Sequence, residues 1–392
     1  MPADVHFAQL VDGGQGHVCS VARSGGRVGG ALPVNSNSKT ELTPDELLAI
    51  AINIFVKLEP NALGNAAYKL DPDGSFYNKA TLHKKYYPRS GDIKVLEDHS
   101  AVIYNRARNV RRVVVVGPGP KEAFLRKEGQ IIRELPNVEQ IDTVDISEHF
   151  NLLACEGVAS LAKELGRPLK HRGITMDFRA AAKLYDNEAD PMETLVICTG
   201  GLITNTESRN HDTFPSEQFK TDLKALGRIA GPGGYVLATY DSNEDPQSAV
   251  GAYKTKDFFR LYLNVIEAIS KHVPAFRGLD VKNFQVRSVW NPKAQSVDHK
   301  LVVTRPMQFV VPYKNGGSTS VTHRINLMPG HEFHIISSYK PAVENVSAAG
   351  NEVGMTTLVS TEEDSGPTIH MFQNTAVRSR NGNMPRVACA AK

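Results

Sequence analysis

Val113-Val114-Val115-Val116-Gly117-Pro118-Gly119 is the stretch that decides the fold. Four consecutive β-branched residues make a short apolar run of the kind found in a strand buried on both faces, and two glycines end it. A helical pattern follows at once. The next strand-like run, Gln140-Ile141-Asp142-Thr143-Val144-Asp145, closes on a carboxylate. A doubly wound α/β domain begins a nucleotide site in this way. Its first turn lets the backbone approach the ligand, and an acid at the end of the second strand meets the ribose hydroxyls. The turn reads on as Pro120-Lys121-Glu122, without the third glycine of the dinucleotide fingerprint. That departure moves the expectation from a pyrophosphate cofactor to S-adenosylmethionine, which has no phosphate to cradle.

Outward from this turn, strands are expected over 113–116, 140–145, about 169–175, 195–198 and 235–239. Helices are expected over 121–134, 147–165 (capped by Ser147) and 216–229. Such alternation implies a mainly parallel sheet covered on both faces. Upstream, Thr43-Pro44-Asp45-Glu46 has the form of a helix start with a capping box, followed by an apolar face of Leu47, Leu48, Ala51, Ile54, Phe55 and Leu58. After Asp241 the pattern changes to a long helix near 254–271 and β-rich stretches at 282–290, 299–312 and 332–339, an inserted unit placed to cover the carboxyl ends of the strands. Stretches 354–360 and 367–372 return to the main sheet. The expected organisation is a flexible arm (1–42), a helical segment contributing to a substrate cap (43–110) and a Rossmann-like domain (111–245). An inserted substrate-binding domain (246–340), a return to the sheet (341–372) and a tail (373–392) complete it.

The chain has 392 residues, 41% of them hydrophobic and 22% charged, with a formal charge of +3. This balance argues against a nucleic-acid binder, and the cluster Arg106-Ala107-Arg108-Asn109-Val110-Arg111-Arg112 reads as a solvated edge ahead of a core strand. Cys19, Cys155, Cys198 and Cys389 lack metal-ligand spacing, so no metal site is expected. Cys155 and Cys198 read as small packed hydrophobes, in a reduced, cytoplasmic setting. No apolar stretch approaches the roughly 18 residues of a membrane span, and the N-terminus lacks a signal core.

Several separated motifs, in order over about 60–372, resemble the histidine-specific, S-adenosylmethionine-dependent methyltransferase family, known from the first step of ergothioneine biosynthesis. Its relatives include fungal N-methyltransferases acting on prenylated tryptophan. The matching segments are Asp71-Pro72-Asp73-Gly74-Ser75, Tyr86-Tyr87-Pro88-Arg89, the Gly117 turn, Val144-Asp145-Ile146-Ser147, Met176-Asp177-Phe178, Gly200-Gly201-Leu202-Ile203-Thr204-Asn205, Ala252-Tyr253, Leu263-Asn264-Val265 and Ser338-Tyr339-Lys340. The resemblance implies a Rossmann-like class I methyltransferase sheet with an inserted α+β substrate-capping domain. It places Gly117 and Gly119 against the methionine part of the cofactor, Asp145 on the ribose, and Asp177 with Phe178 on the adenine. Asn205 and Tyr253 would hold an amino acid's carboxylate, and Tyr86 would line the acceptor site.

The chain departs from its family where imidazole is gripped. In place of Glu-x-Ser stands Ile336-Ser337-Ser338, and Leu70 replaces the Tyr expected before Asp71. A site built to hydrogen-bond an imidazole loses discrimination when its acceptor becomes an alkyl group. The expected activity is therefore N-methylation of an amino acid or amino-acid-derived metabolite other than histidine, by a monomer acting on a small molecule. The alternatives are histidine or a tryptophan derivative as acceptor, and a non-catalytic S-adenosylmethionine-binding protein. No residue stands out in the sequence as a general base. His83, His149 and His370 read as structural or exposed.

Overall fold

The computed structural model describes residues 42–71, 74–186, 193–205, 214–314, 320–360 and 366–375. The expected arm up to residue 41, Pro72, Asp73 and the tail beyond 375 lie outside them.

Among the described residues five helices precede the first strand: α1 (Pro44–Phe55), α2 (Ala66–Lys69), α3 (Ser75–Leu82), α4 (Tyr87–Asp98) and α5 (Ser100–Ala107). The α1 start is the reciprocal box read from the sequence, with Glu46 N–H donating to Thr43 Oγ1 at 3.2 Å and Thr43 N–H to Glu46 Oε2 at 2.8 Å. Leu58 does not share its apolar face. The helix ends at Phe55, and Leu58 sits 65% exposed in the left-handed region at φ 56°.

Alternation then runs β1 (Arg112–Val116), α6 (Lys121–Arg126), α7 (Glu128–Glu134), β2 (Gln140–Asp145), α8 (Glu148–Glu164), β3 (Lys170–Thr175), α9 (Phe178–Tyr185), β4 (Thr194–Cys198), α10 (Glu217–Ala230) and β5 (Tyr235–Asp241). Next come α11 (Pro246–Tyr253), α12 (Lys256–His272), β6 (Phe284–Asn291), β7 (Ser296–Val303), β8 (Met307–Lys314), β9 (Ser320–Leu327), β10 (Glu332–Tyr339), α13 (Val343–Glu352), β11 (Met355–Ser360) and β12 (Pro367–Asn374). The main sheet has the order β11-β12-β5-β4-β1-β2-β3, parallel from β5 to β3, with β12 antiparallel to both neighbours. Successive strands leave β1 in one direction and β4 in the other. Their carboxyl ends therefore diverge at a topological switch point, where such sheets bind ligands.

Two expected elements are divided. The single helix over 121–134 breaks at Lys127 (φ −105°, ψ −84°), which turns Lys127 and Glu128 inward to Thr199 at the end of β4. The long helix expected near 254–271 is present whole as α12, started by Thr255, which accepts the Phe258 N–H at 3.3 Å, and Tyr253 ends the helix before it. The stretch 299–312 is two strands, interrupted around Pro306, which has no N–H to give a ladder. Arg112, expected on a solvated edge, is buried beside the Tyr185 ring.

A second sheet, β10-β7-β6, packs with α1 and α12 into one apolar core. Helix α4 lies on β12 and β5. It comes so close that a Cβ at Gly91 would overlap the Pro367 ring.

Candidate active site

At the end of β1, Gly117 and Gly119 take φ values of 68° and 63°, which glycine alone adopts without strain. The Gly117 N–H donates to Val144 O at 2.9 Å and ties the turn to the end of β2, while a Cβ on Gly117 would lie 3.0 Å from Leu202 Cδ2. Asp145 follows Val144. Its Oδ1 accepts the Ser147 N–H at 2.8 Å, and burial pushes its carboxyl up to about 7 against the pull of backbone N–H groups. No cation is among the causes, so a ligand's hydroxyl donors would be the natural complement of this carboxylate.

Asp177, on the loop after the neighbouring strand β3, caps α9. Its Oδ1 accepts the Arg179 N–H at 2.8 Å and its Oδ2 accepts Arg179 Nη1 at 2.9 Å. Phe178 is 8% exposed and packs in the core over the sheet, with the Arg179 guanidinium 4.9 Å from its ring centroid.

Across the switch point, Tyr86, Asn205 and Tyr253 line one cleft with Asp92, Gly200, Asp241, Tyr339 and Lys340. Tyr86 meets Tyr253 edge-on at 5.6 Å between centroids and Phe258 at 4.9 Å. Lys340, 2% exposed, donates to Tyr253 Oη at 3.0 Å and pairs with Asp241 Oδ2 at 3.1 Å. An ammonium is donor only, so the Tyr253 oxygen accepts from it and its own proton is directed elsewhere. Asn205 Oδ1 accepts the Tyr339 N–H at 2.9 Å, which leaves the amide NH2 as the end able to meet a ligand. Two donors are thus fixed by groups behind them. Tyr87 Oη also donates to Asp241 Oδ2, at 2.7 Å, and Asn243 Nδ2 donates to Tyr87 Oη at 2.8 Å.

Beneath Gly200 lies a second buried set. Lys127 Nζ donates to Thr199 Oγ1 at 2.7 Å, and Thr199 donates to Glu128. The Gly200 N–H donates to Thr239 Oγ1 at 3.1 Å, and the Thr239 hydroxyl is close enough to the Asp92 carboxylate to favour its ionised form.

The fold therefore gathers the glycine turn, Asp145 and Asp177 at the ends of β1 to β3, and Tyr86, Asn205 and Tyr253 around the cleft. Ile336 and Ser338 lie on the strand whose Tyr339 reaches the cleft but do not line it themselves. Ile336 is half-buried opposite His299, and Ser338 pairs with Val297. Sequence reasoning passed over Asp92, Lys127, Asp241 and, as a chemical group, Lys340. Among the described residues no cluster of His, Cys, Asp or Glu could hold a metal, and no helix is long and apolar enough to cross a membrane. His370 is buried between Tyr240 and Phe372 with its imidazole pushed down to about 4, a structural position.

The family described as histidine-specific methyltransferase, SAM-dependent, matches residues 66–373. No curated protein matches the chain. Among solved structures it is similar to an S-adenosylmethionine-dependent methyltransferase from Clostridium acetobutylicum, at 11% identity over 76% of this chain and 99% of that one (TM-score 0.39). A Burkholderia thailandensis 1,6-didemethyltoxoflavin N1-methyltransferase with bound S-adenosylhomocysteine matches at 10% identity over 79% and 88% (TM-score 0.37). The N-methyltransferase NodS of Bradyrhizobium japonicum matches at 8% over 72% and 98% (TM-score 0.32).

Proposed function

Since this chain belongs to the histidine-specific, S-adenosylmethionine-dependent methyltransferase family, we propose that it methylates the amine of an amino acid, or of a small metabolite derived from one, whose side chain is not imidazole. Its seven-stranded sheet is the Rossmann-like class I methyltransferase sheet of that family.

The observation that carries the acceptor class is the pair of fixed donors. Tyr253 Oη, held by Lys340, and the Asn205 amide, held by Tyr339, both offer hydrogens to the cleft, with the Lys340 ammonium beside them. Such a wall suits a carboxylate. Ile336 in place of the family's carboxylate favours a less polar side chain, with Ser338 on the same strand. Tyr86 and Tyr253 supply ring faces that attract a methylated ammonium.

In this reading Gly117 and Gly119 admit the methionine part of the cofactor, Asp145 accepts the ribose hydroxyls, and Asp177 with Phe178 meets the adenine. S-adenosylmethionine supplies, when bound, a sulfonium methyl open to in-line attack by a nitrogen lone pair. The protein's share is positioning. Asn205 and Tyr253 fix the carboxylate, so that the neighbouring nitrogen has few orientations left to it.

Comparing a methylated amino acid with its decarboxylated amine tests the carboxylate wall. Asn205→Asp should lower kcat/KM at least 100-fold for the amino acid and far less for the amine. Equal losses for the two, or none, would remove the carboxylate from this site.

A further inference from the structure

We propose that Asp92 is a catalytic residue of this cleft, holding the acceptor's ammonium and taking its proton. The proposal rests on the amine-methyltransferase reading above and supplies the base that the sequence did not reveal.

Asp92 lines the cleft together with Tyr86, Asn205 and Tyr253, yet it is only 3% exposed. Thr239 stands behind its carboxylate. Thr239 is fully buried and accepts the Gly200 N–H, so its hydroxyl hydrogen is free to go to Asp92. A Cβ on Gly200 would stand in ordinary contact with Asp92 Oδ2, at 3.8 Å, and with Lys127 Nζ, at 3.6 Å, so the backbone at Gly200 borders the carboxylate without covering it.

Asp92 differs from the acids around it in its partners. Asp241 is neutralised by Lys340 and accepts from Tyr87. Glu128 is wholly enclosed, with Thr199 donating to it and Lys127 at 3.7 Å. Lys127 is the cation acting most strongly on Asp92, but its ammonium donates to Thr199 and its charge is paired with Glu128 at 3.7 Å. Among the described residues no cation lies in ion-pair contact with Asp92. A buried carboxylate facing a ligand cleft in that state calls for a cation from the ligand. With the carboxylate wall at Asn205 and Tyr253, the cleft then presents donors to one end of an α-amino acid and an acceptor to the other.

The surroundings also tune it. Burial pushes Asp92 up to about 6, with Asp241 and Glu128 raising it and Lys127 and Thr239 opposing. The Tyr77 and Tyr86 phenols also feel its charge. Because an α-amino group has a pKa of about 8, the shift narrows the gap that proton transfer must cross. One proton moves from the acceptor nitrogen to an Asp92 oxygen, leaving the lone pair on nitrogen. The N–C bond forms as the methyl–sulfur bond breaks, its electron pair staying on sulfur, and Asp92 then releases the proton to solvent.

The test is the pH profile of kcat/KM for wild type and Asp92→Asn, with S-adenosylhomocysteine affinity measured beside it. Asparagine keeps the shape but accepts no proton. Wild type takes up the charged amine, so its profile should fall below pH about 6 and be level from there to about 8. Asp92→Asn should bind S-adenosylhomocysteine as wild type does and lose about 10²–10⁴ in turnover. Its remaining kcat/KM should climb about tenfold per pH unit, following the neutral amine. A wild-type profile that itself climbs without a level region overturns the proposal with no variant needed. Wild-type turnover with an unchanged Asp92→Asn profile overturns it while leaving the function standing. Wild-type protein that methylates no amine at all overturns both.

Discussion

Replacing Lys340 with methionine removes an ammonium that is 2% exposed and 3.1 Å from Asp241 Oδ2, itself in a residue 5% exposed. The methionine fills most of the volume, so packing is nearly kept and the change is electrostatic. Asp241 retains the Tyr87 hydroxyl at 2.7 Å but no counter-charge. Breaking a buried pair from one side costs about 3–5 kcal/mol, because the remaining charge stays desolvated. Removing the second charge as well, in Lys340→Met/Asp241→Asn, should restore at least about 1.5 kcal/mol of this, since the two sites are directly coupled. The assay is urea unfolding followed by far-UV circular dichroism and by fluorescence of the chain's one tryptophan, Trp290, with coincident transitions licensing a free energy. A loss below about 1 kcal/mol for Lys340→Met, the scale of exposed pairs, would refute the reasoning. So would a double variant less stable than the single one.

Burial holds the folded Asp145 carboxyl near 7, and in the proposed reading ribose hydroxyls donate to its ionised form. S-adenosylhomocysteine affinity should therefore rise by up to about tenfold per pH unit as pH approaches 7, then level off. Calorimetric titration checks this, and Asp145→Asn should bind weakly with no such slope. Ile336→Glu restores an acceptor on the strand that carries Ser338 and should raise methyl transfer to histidine, read by mass spectrometry; no gain would place the side-chain specificity elsewhere. Gly91→Ala pushes a methyl group into Pro367 and should cost about 1–3 kcal/mol by lifting α4 from β12, so a more stable protein in urea would count against that contact.

The parallel sheet was legible because its signals are local. A run of four valines, glycines at a turn and an acid closing the next strand each sit within a few residues. The box at Thr43 and the cap at Ser147 were legible for the same reason, since capping bonds span three residues. The helix break at Lys127 was not, because Lys127 turns inward to partners around Thr199, 72 positions along the chain. The polar network was likewise hidden: Tyr87, Asp241 and Lys340 come from α4, the end of β5 and the residue after β10, and no local pattern joins them. The motif at 86–89 drew attention to Tyr86, while its neighbour Tyr87 makes the bond to Asp241. Phe178, read as an adenine contact, is packed into the core beside Arg179, so its part in binding rests on the family resemblance.

The most direct measurement incubates the protein with methyl-labelled S-adenosylmethionine and an equimolar mixture of the twenty amino acids and common biogenic amines, and reads labelled products by mass spectrometry. The account predicts label on the α-amine of an acceptor with a less polar side chain, in preference to histidine and to amines lacking a carboxylate. Histidine labelled ahead of all others, or label on oxygen or carbon instead of an amine, would contradict it.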